Sequence, residues 1–112
     1  MPTPADELRA AAEKLRAIAT HPDVTPGPWL CLDGGDRIIH DGPGIEFGPA
    51  DYVVDEPVSN SANAELIAAM HPGVGAALAD WLTATADFCD FNVTTPTHVV
   101  RALALARRIN AA

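Results

Sequence analysis

Ser59-Asn60-Ser61-Ala62-Asn63-Ala64-Glu65-Leu66-Ile67-Ala68-Ala69-Met70-His71-Pro72-Gly73-Val74-Gly75-Ala76-Ala77-Leu78-Ala79-Asp80-Trp81-Leu82 reads as two helices meeting at a corner. Asn60 or Ser61 suits the cap of the first helix, where a side-chain oxygen accepts from a free backbone N–H of the opening turn. Ala62, Leu66, Ala69 and Met70 fall at helical spacing, which predicts a buried face. Pro72 ends this helix, because its ring clashes with the preceding turn and it has no N–H. The same proline suits the first position of a second helix, with His71 at or near its cap. Val74, Leu78, Trp81 and Leu82, with Thr85 at the end, give the second stripe. Glycine and alanine between 68 and 79 keep both helices thin, so other elements can approach closely. This is the largest apolar surface in the chain, and the segments before it are expected to pack on it.

Upstream, Thr3 with Pro4 at the first helical position and Asp6 in the first turn starts a helix expected over 1–22, ended by His21-Pro22. Leu8, Ala11, Ala12, Leu15, Ile18 and Ala19 form its buried stripe. Glu13 and Arg16, three residues apart, lie on the wet side. A β meander is expected over 25–58. Pro26-Gly27 suits a type II turn. Trp29-Leu30-Cys31-Leu32 and Arg37-Ile38-Ile39-His40 flank the hairpin signal Asp33-Gly34-Gly35-Asp36. Ile45-Glu46-Phe47 and Tyr52-Val53-Val54-Asp55 supply one or two more strands. Downstream, the helix pair is expected over 60–86, then a loop over 87–94, then a C-terminal helix over 95–110. The sum is one α+β domain over 1–112, with a three- or four-stranded antiparallel sheet that needs a helical layer to be stable.

Thr25-Pro26-Gly27-Pro28-Trp29, followed by a small β segment and then by the run from Asn63 to Pro72 and Ala77-Leu78-Ala79-Asp80-Trp81-Leu82, resembles the Ead-like group of small bacteriophage proteins. That group has an N-terminal helix, a T-P-G-P-W turn, a variable β region and an N-A-x-x-I-A-A-x-x-P helix leading into another. The likeness covers discontinuous blocks between residues 7 and 83. His71 stands where relatives carry Asn, which implies a capping role and no chemical one. The segment from Phe88 onward lies outside the shared pattern. The resemblance implies a phage accessory protein with no established reaction.

Composition narrows the function classes. Hydrophobic residues make up 48% and aromatics 5%, so the core must be mainly Ala, Leu, Ile and Val. No apolar run reaches membrane-spanning length, and 1–7 shows no basic-then-apolar leader, so the expected location is the host cytoplasm. Cys31 and Cys89 have no metal or redox spacing and are expected to be reduced thiols. A single lysine against six arginines, with heavy alanine use, suits a high-GC genome. The net charge is −8, and Asp33, Asp36, Asp41, Glu46, Asp51, Asp55 and Glu56 face Arg37 alone in the middle of the chain. Direct nucleic-acid binding is not expected, because phosphates need a basic patch. A basic protein surface fits this block. Charged hairpin edges that keep the chain soluble explain it equally simply.

No enzyme signature is present. His21, His40, His71 and His98 lie in separate segments without metal-ligand spacing, and no nucleophile elbow or phosphate loop occurs. No metal or cofactor is expected. The candidate binding residues are Trp29, Asp33, Asp36, Asp41, Asn60, Asn63 and His71. Trp29, held by prolines, either anchors a partner or closes the core against Leu15, Ile18 or Trp81. Three functions follow: a non-enzymatic module binding a host or phage protein, a sponge for a nucleotide-type small molecule, and, last, a small hydrolase. A two-fold homodimer is expected through Val99, Ala102, Ala106 and Ile109, because one small sheet cannot cover every helix stripe; the competing reading folds this helix back on the first and completes a monomeric core.

Overall fold

The computed structural model describes residues 1–31, 38–40, 53, 61–92 and 94–112. In chain order they form α1 (Pro4–Ala19), β1 (Trp29–Cys31), β2 (Ile38–His40), α2 (Ser61–Ala69), α3 (Pro72–Phe91) and α4 (Thr97–Ala111). They divide into two compact units. Met1–Thr20 and Gly75–Ala112 make a helical unit, and His21–Val74 makes a hairpin unit.

The helical unit is sealed largely by alanine. Ala5, Leu8, Ala11 and Ala12 of α1 meet Ala79, Leu82 and Ala86 of α3 and Val99, Ala102, Leu103 and Ala106 of α4 in one buried cluster. α1 and α4 make the closest helix pairing. Methyl side chains allow that approach, since the distance between helix axes follows the size of the side chains at the contact. α1 begins as its sequence dictates. Thr3 Oγ1 accepts from the Asp6 N–H at 3.1 Å, and Asp6 accepts in return from the Thr3 N–H at 3.0 Å. The bond from the Thr3 N–H favours the ionised carboxylate, and Asp6 is held below the ordinary aspartate value. Thr85, the polar member of the interior, donates its hydroxyl to the Trp81 carbonyl at 2.9 Å.

Charged side chains tie the helices at the rim. Arg107 makes a two-pronged contact with Glu7, both bonds 3.2 Å. Arg9 reaches Asp87 at 2.9 Å and also grips Asp90, and Arg16 reaches Asp80 at 3.2 Å. Lys14 donates to the Ile109 carbonyl at 3.0 Å and to that of Ala112 near the end of α4, where a cation suits the exposed carbonyls.

The hairpin unit is smaller. β1 and β2 pair antiparallel, with Trp29 opposite His40, Leu30 opposite Ile39 and Cys31 opposite Ile38. α2 packs on both strands. Among the described residues, its interior is Ile38, Ala64 and Ala68, with Trp29, Cys31 and Val53 partly buried around them. Val53 donates its N–H to the Ile38 carbonyl at 2.7 Å.

Several expectations are corrected. The chain is mainly helical, not an α+β fold with a three- or four-stranded sheet. Among the described residues, β structure is confined to two strands of three residues each. The strand expected at 45–47 lies outside the described residues, as does all of the expected last strand except Val53. The segment read as a loop continues α3 to Phe91, because Asp87 and Asp90 are held by Arg9, and Phe88 and Cys89 pack on the helical core. Asn92 then closes the helix by donating its amide to the Phe88 carbonyl at 2.9 Å. α2 turns the opposite way from expectation. It buries Ala64 and Ala68, and leaves Leu66 at 66% exposure and the neighbouring Met70 at 51%. Ile18 and Trp81, both expected in buried stripes, are also exposed.

Candidate functional site

The Thr25–Trp29 turn and the end of the Asn63–Pro72 segment come together in the hairpin unit. Pro72 is the first residue of α3, so His71 stands at its cap, and His71 Nδ1 accepts from the Gly73 N–H at 3.1 Å. The His71 carbonyl also accepts from the Val74 N–H at 2.9 Å. The imidazole lies between two glycines. A β-carbon on Gly27 would stand 2.7 Å from His71 Nδ1, and one on Gly73 would stand 2.8 Å from Cε1. Neither distance is tolerable, so glycine at both positions is a condition for the ring's placement. Gly27–Pro28 is a cis peptide. Just beyond it, Trp29 donates its indole N–H to the Thr25 carbonyl at 3.0 Å. Trp29 Nε1 and His71 Nδ1 are therefore both engaged by the backbone. The arrangement is a clasp joining the proline turn to the helix corner.

The remaining sequence candidates scatter. Trp29 is half-buried against the Ile38, Ala64 and Ala68 cluster. Asn63 is exposed on α2. Asp33, Asp36, Asp41 and Asn60 lie outside the described residues. Val99, Ala102 and Ala106 are fully buried in the helical unit, with Ile109 packed beside them. The stripe expected to face a second copy is thus covered by α1 and α3 of the same chain.

Charge separates the two units. His21–Val74 contains nine of the fifteen carboxylates and a single base, Arg37. The helical unit carries six of each sign. The whole excess of −8 therefore belongs to the hairpin unit. In the helical unit, Glu7, Asp80, Asp87 and Asp90 are all bound by arginine. Arg9 holds Asp90 below the ordinary aspartate value, and Glu7 raises Arg107.

The hairpin unit also presents an exposed apolar face at the end of α2, formed by Leu66, Ile67 and Met70, of which sequence reasoning assigned Leu66 and Met70 to the interior. Apolar residues surround α2 almost completely, so spacing alone could not choose its inward face. The signal that could have chosen is size. Ala64 and Ala68, four apart, permit close contact with a strand pair, whereas the larger residues do not.

The helical unit has a cleft of about 420 Å³ bordered by Thr3, Pro4, Cys89, Asn92, Thr94 and Thr95. Asn92 is already bonded to the end of α3. Among the described residues, no three His, Cys, Asp or Glu side chains gather as a metal site. No described helix is long and apolar enough to cross a membrane. The chain matches no family model, no curated protein and no solved structure.

Proposed function

We propose that this chain is a phage-encoded accessory protein that works without catalysis, binding a basic host or phage protein in the host cytoplasm through its hairpin unit. The supporting observation is the confinement of the net charge: nine carboxylates against one base in His21–Val74, and balance elsewhere. A one-signed surface steers an oppositely charged partner and repels like-charged ones. The phage origin rests on the Thr25-Pro26-Gly27-Pro28-Trp29 and Asn63-to-Pro72 likeness, whose two segments meet at Gly27 and His71.

The test is capture from lysate of an infected host, with wild type compared to a variant carrying Asp33→Lys, Asp36→Lys and Asp41→Lys. A partner should bind wild type at low ionic strength, weaken as salt shortens the screening length to about 8 Å and below, and bind the variant poorly. Equal affinity for both proteins at every salt concentration removes the reading. A nucleotide that binds saturably while no protein is captured replaces it with the small-molecule sponge.

A further inference from the structure

We propose that the exposed face of α2, formed by Leu66, Ile67 and Met70, is the docking ridge for a cationic amphipathic helix of a partner protein. This deepens the basic-partner reading and rests on it. Leu66 and Met70 are four apart and Ile67 and Met70 three apart, so the three side chains share one side of a helical turn. Leu66 is 66% exposed, Met70 51% and Ile67 38%. Met70 is fixed to the end of α2 by its N–H, which reaches the Leu66 and Ile67 carbonyls at 3.2 and 3.1 Å. The other side of α2 is fastened by Ala64 and Ala68 to the strand pair, so the ridge stands on a supported helix. α2 is about 13 Å long, which suits two or three turns of a partner helix laid along it.

Charge chooses the occupant. The ridge belongs to the unit that carries the entire −8, and α2 itself holds Glu65 and no base. A second copy docking through the same face would bring two such units together, against their mutual repulsion. An anionic membrane or a nucleic acid is repelled for the same reason. A helix with an apolar stripe and flanking lysine or arginine suits both the ridge and the net charge of the unit that carries it, as in groove-binding peptide helices generally.

The probe is a synthetic leucine–lysine peptide patterned as an amphipathic helix, compared by fluorescence anisotropy with a scrambled peptide of the same composition. Both are titrated with the full chain, with a Leu66→Gln/Met70→Gln variant, and with the Asp33/Asp36/Asp41 charge-reversal variant. Circular dichroism checks that the α2 variant, altered only at exposed positions, keeps its helix content. Wild type should bind the patterned peptide about tenfold or more tightly than the scrambled one. The α2 variant should lose that preference, and the charge-reversal variant should weaken both peptides. Equal binding of the two peptides, or full affinity in the α2 variant, overturns the ridge while leaving the basic-partner reading in place. Failure of wild type to bind either peptide overturns both. A Leu66-dependent doubling of mass in light scattering, without peptide binding, assigns the face to a second copy instead.

Discussion

The helical unit and the hairpin unit use side chains in opposite ways. In the helical unit, alanine and leucine close the interior, and arginines on α1 and α4 bind carboxylates on neighbouring helices. Among the described residues of the hairpin unit, Ile38, Ala64 and Ala68 hold a strand pair to a helix, while larger apolar side chains at that helix stay exposed, and the unit's sequence carries the excess of carboxylates. On the proposed function, stability rests on the buried contacts of the helical unit and recognition on the exposed Leu66 and Met70 of the hairpin unit, so a change at the first should be felt as folding free energy and a change at the second as lost contact with a partner.

The largest effect should come from Ala106→Arg. Ala106 is fully buried in the cluster that α1, α3 and α4 share, and neither the volume nor the charge of arginine can be accommodated there. Urea unfolding should show a loss of about 3 kcal/mol or more. A cost below about 0.5 kcal/mol would mean the helices part freely, and the contrast between the units would fail. A matched pair sharpens it. Leu82→Ala, at a fully buried site in α3, should cost about 2–5 kcal/mol. Leu66→Ala, on the exposed ridge, should cost within about 0.5 kcal/mol.

A smaller effect is expected at the clasp. Gly27→Ala puts a methyl group 2.7 Å from His71 Nδ1 and should cost about 1–3 kcal/mol. His71→Ala alone loses a cap worth about 1 kcal/mol. Together the two should cost less than the sum, because the second removes what the first collides with. Strict additivity in a double-mutant cycle would separate the proline turn from the helix corner.

The smallest effect is electrostatic. Asp90 has a folded value lowered from 3.8 by its bond to Arg9, so it binds fewer protons folded than unfolded. Its contribution is present above the unfolded value and disappears as pH falls through the folded one. The difference in thermal midpoint between wild type and Asp90→Asn should thus be steady above about pH 5, shrink on acidification, and be reduced by salt, since the pair is exposed. A difference that grows below pH 4 would contradict the assignment.

What the sequence reveals depends on whether the deciding contact is local. Thr3-Pro4 with Asp6 places the start of α1, and His71-Pro72 places the corner, because caps and prolines act within a turn. The continuation of α3 through Asp87 and Asp90 was not legible, since the arginine that holds them is 81 residues from Asp90. The facing of α2 was hidden because its apolar residues have no preferred side. The neighbour of α4 was open in the sequence for a related reason. A narrow alanine stripe reads equally well against a second copy and against α1, and only the spatial return of the chain distinguishes them. Among the candidate site residues, His71 was legible as a cap, whereas Leu66 and Met70, both exposed, were read as interior.

The contact between Glu7 and Arg107 spans 100 positions of sequence. During synthesis α1 is made early and must wait, without its closest neighbour, until α4 has been released from the ribosome. His21–Val74 is complete well before then, and its internal contacts are all nearer in sequence. Closing so distant a pair carries a loop entropy that grows only logarithmically with length, so the delay costs time more than stability. Alanine helps at that late step, because a methyl side chain has no rotamer freedom to lose when it is buried. The nascent chain therefore offers its acidic, ridge-bearing portion to the surroundings before the helical portion can close.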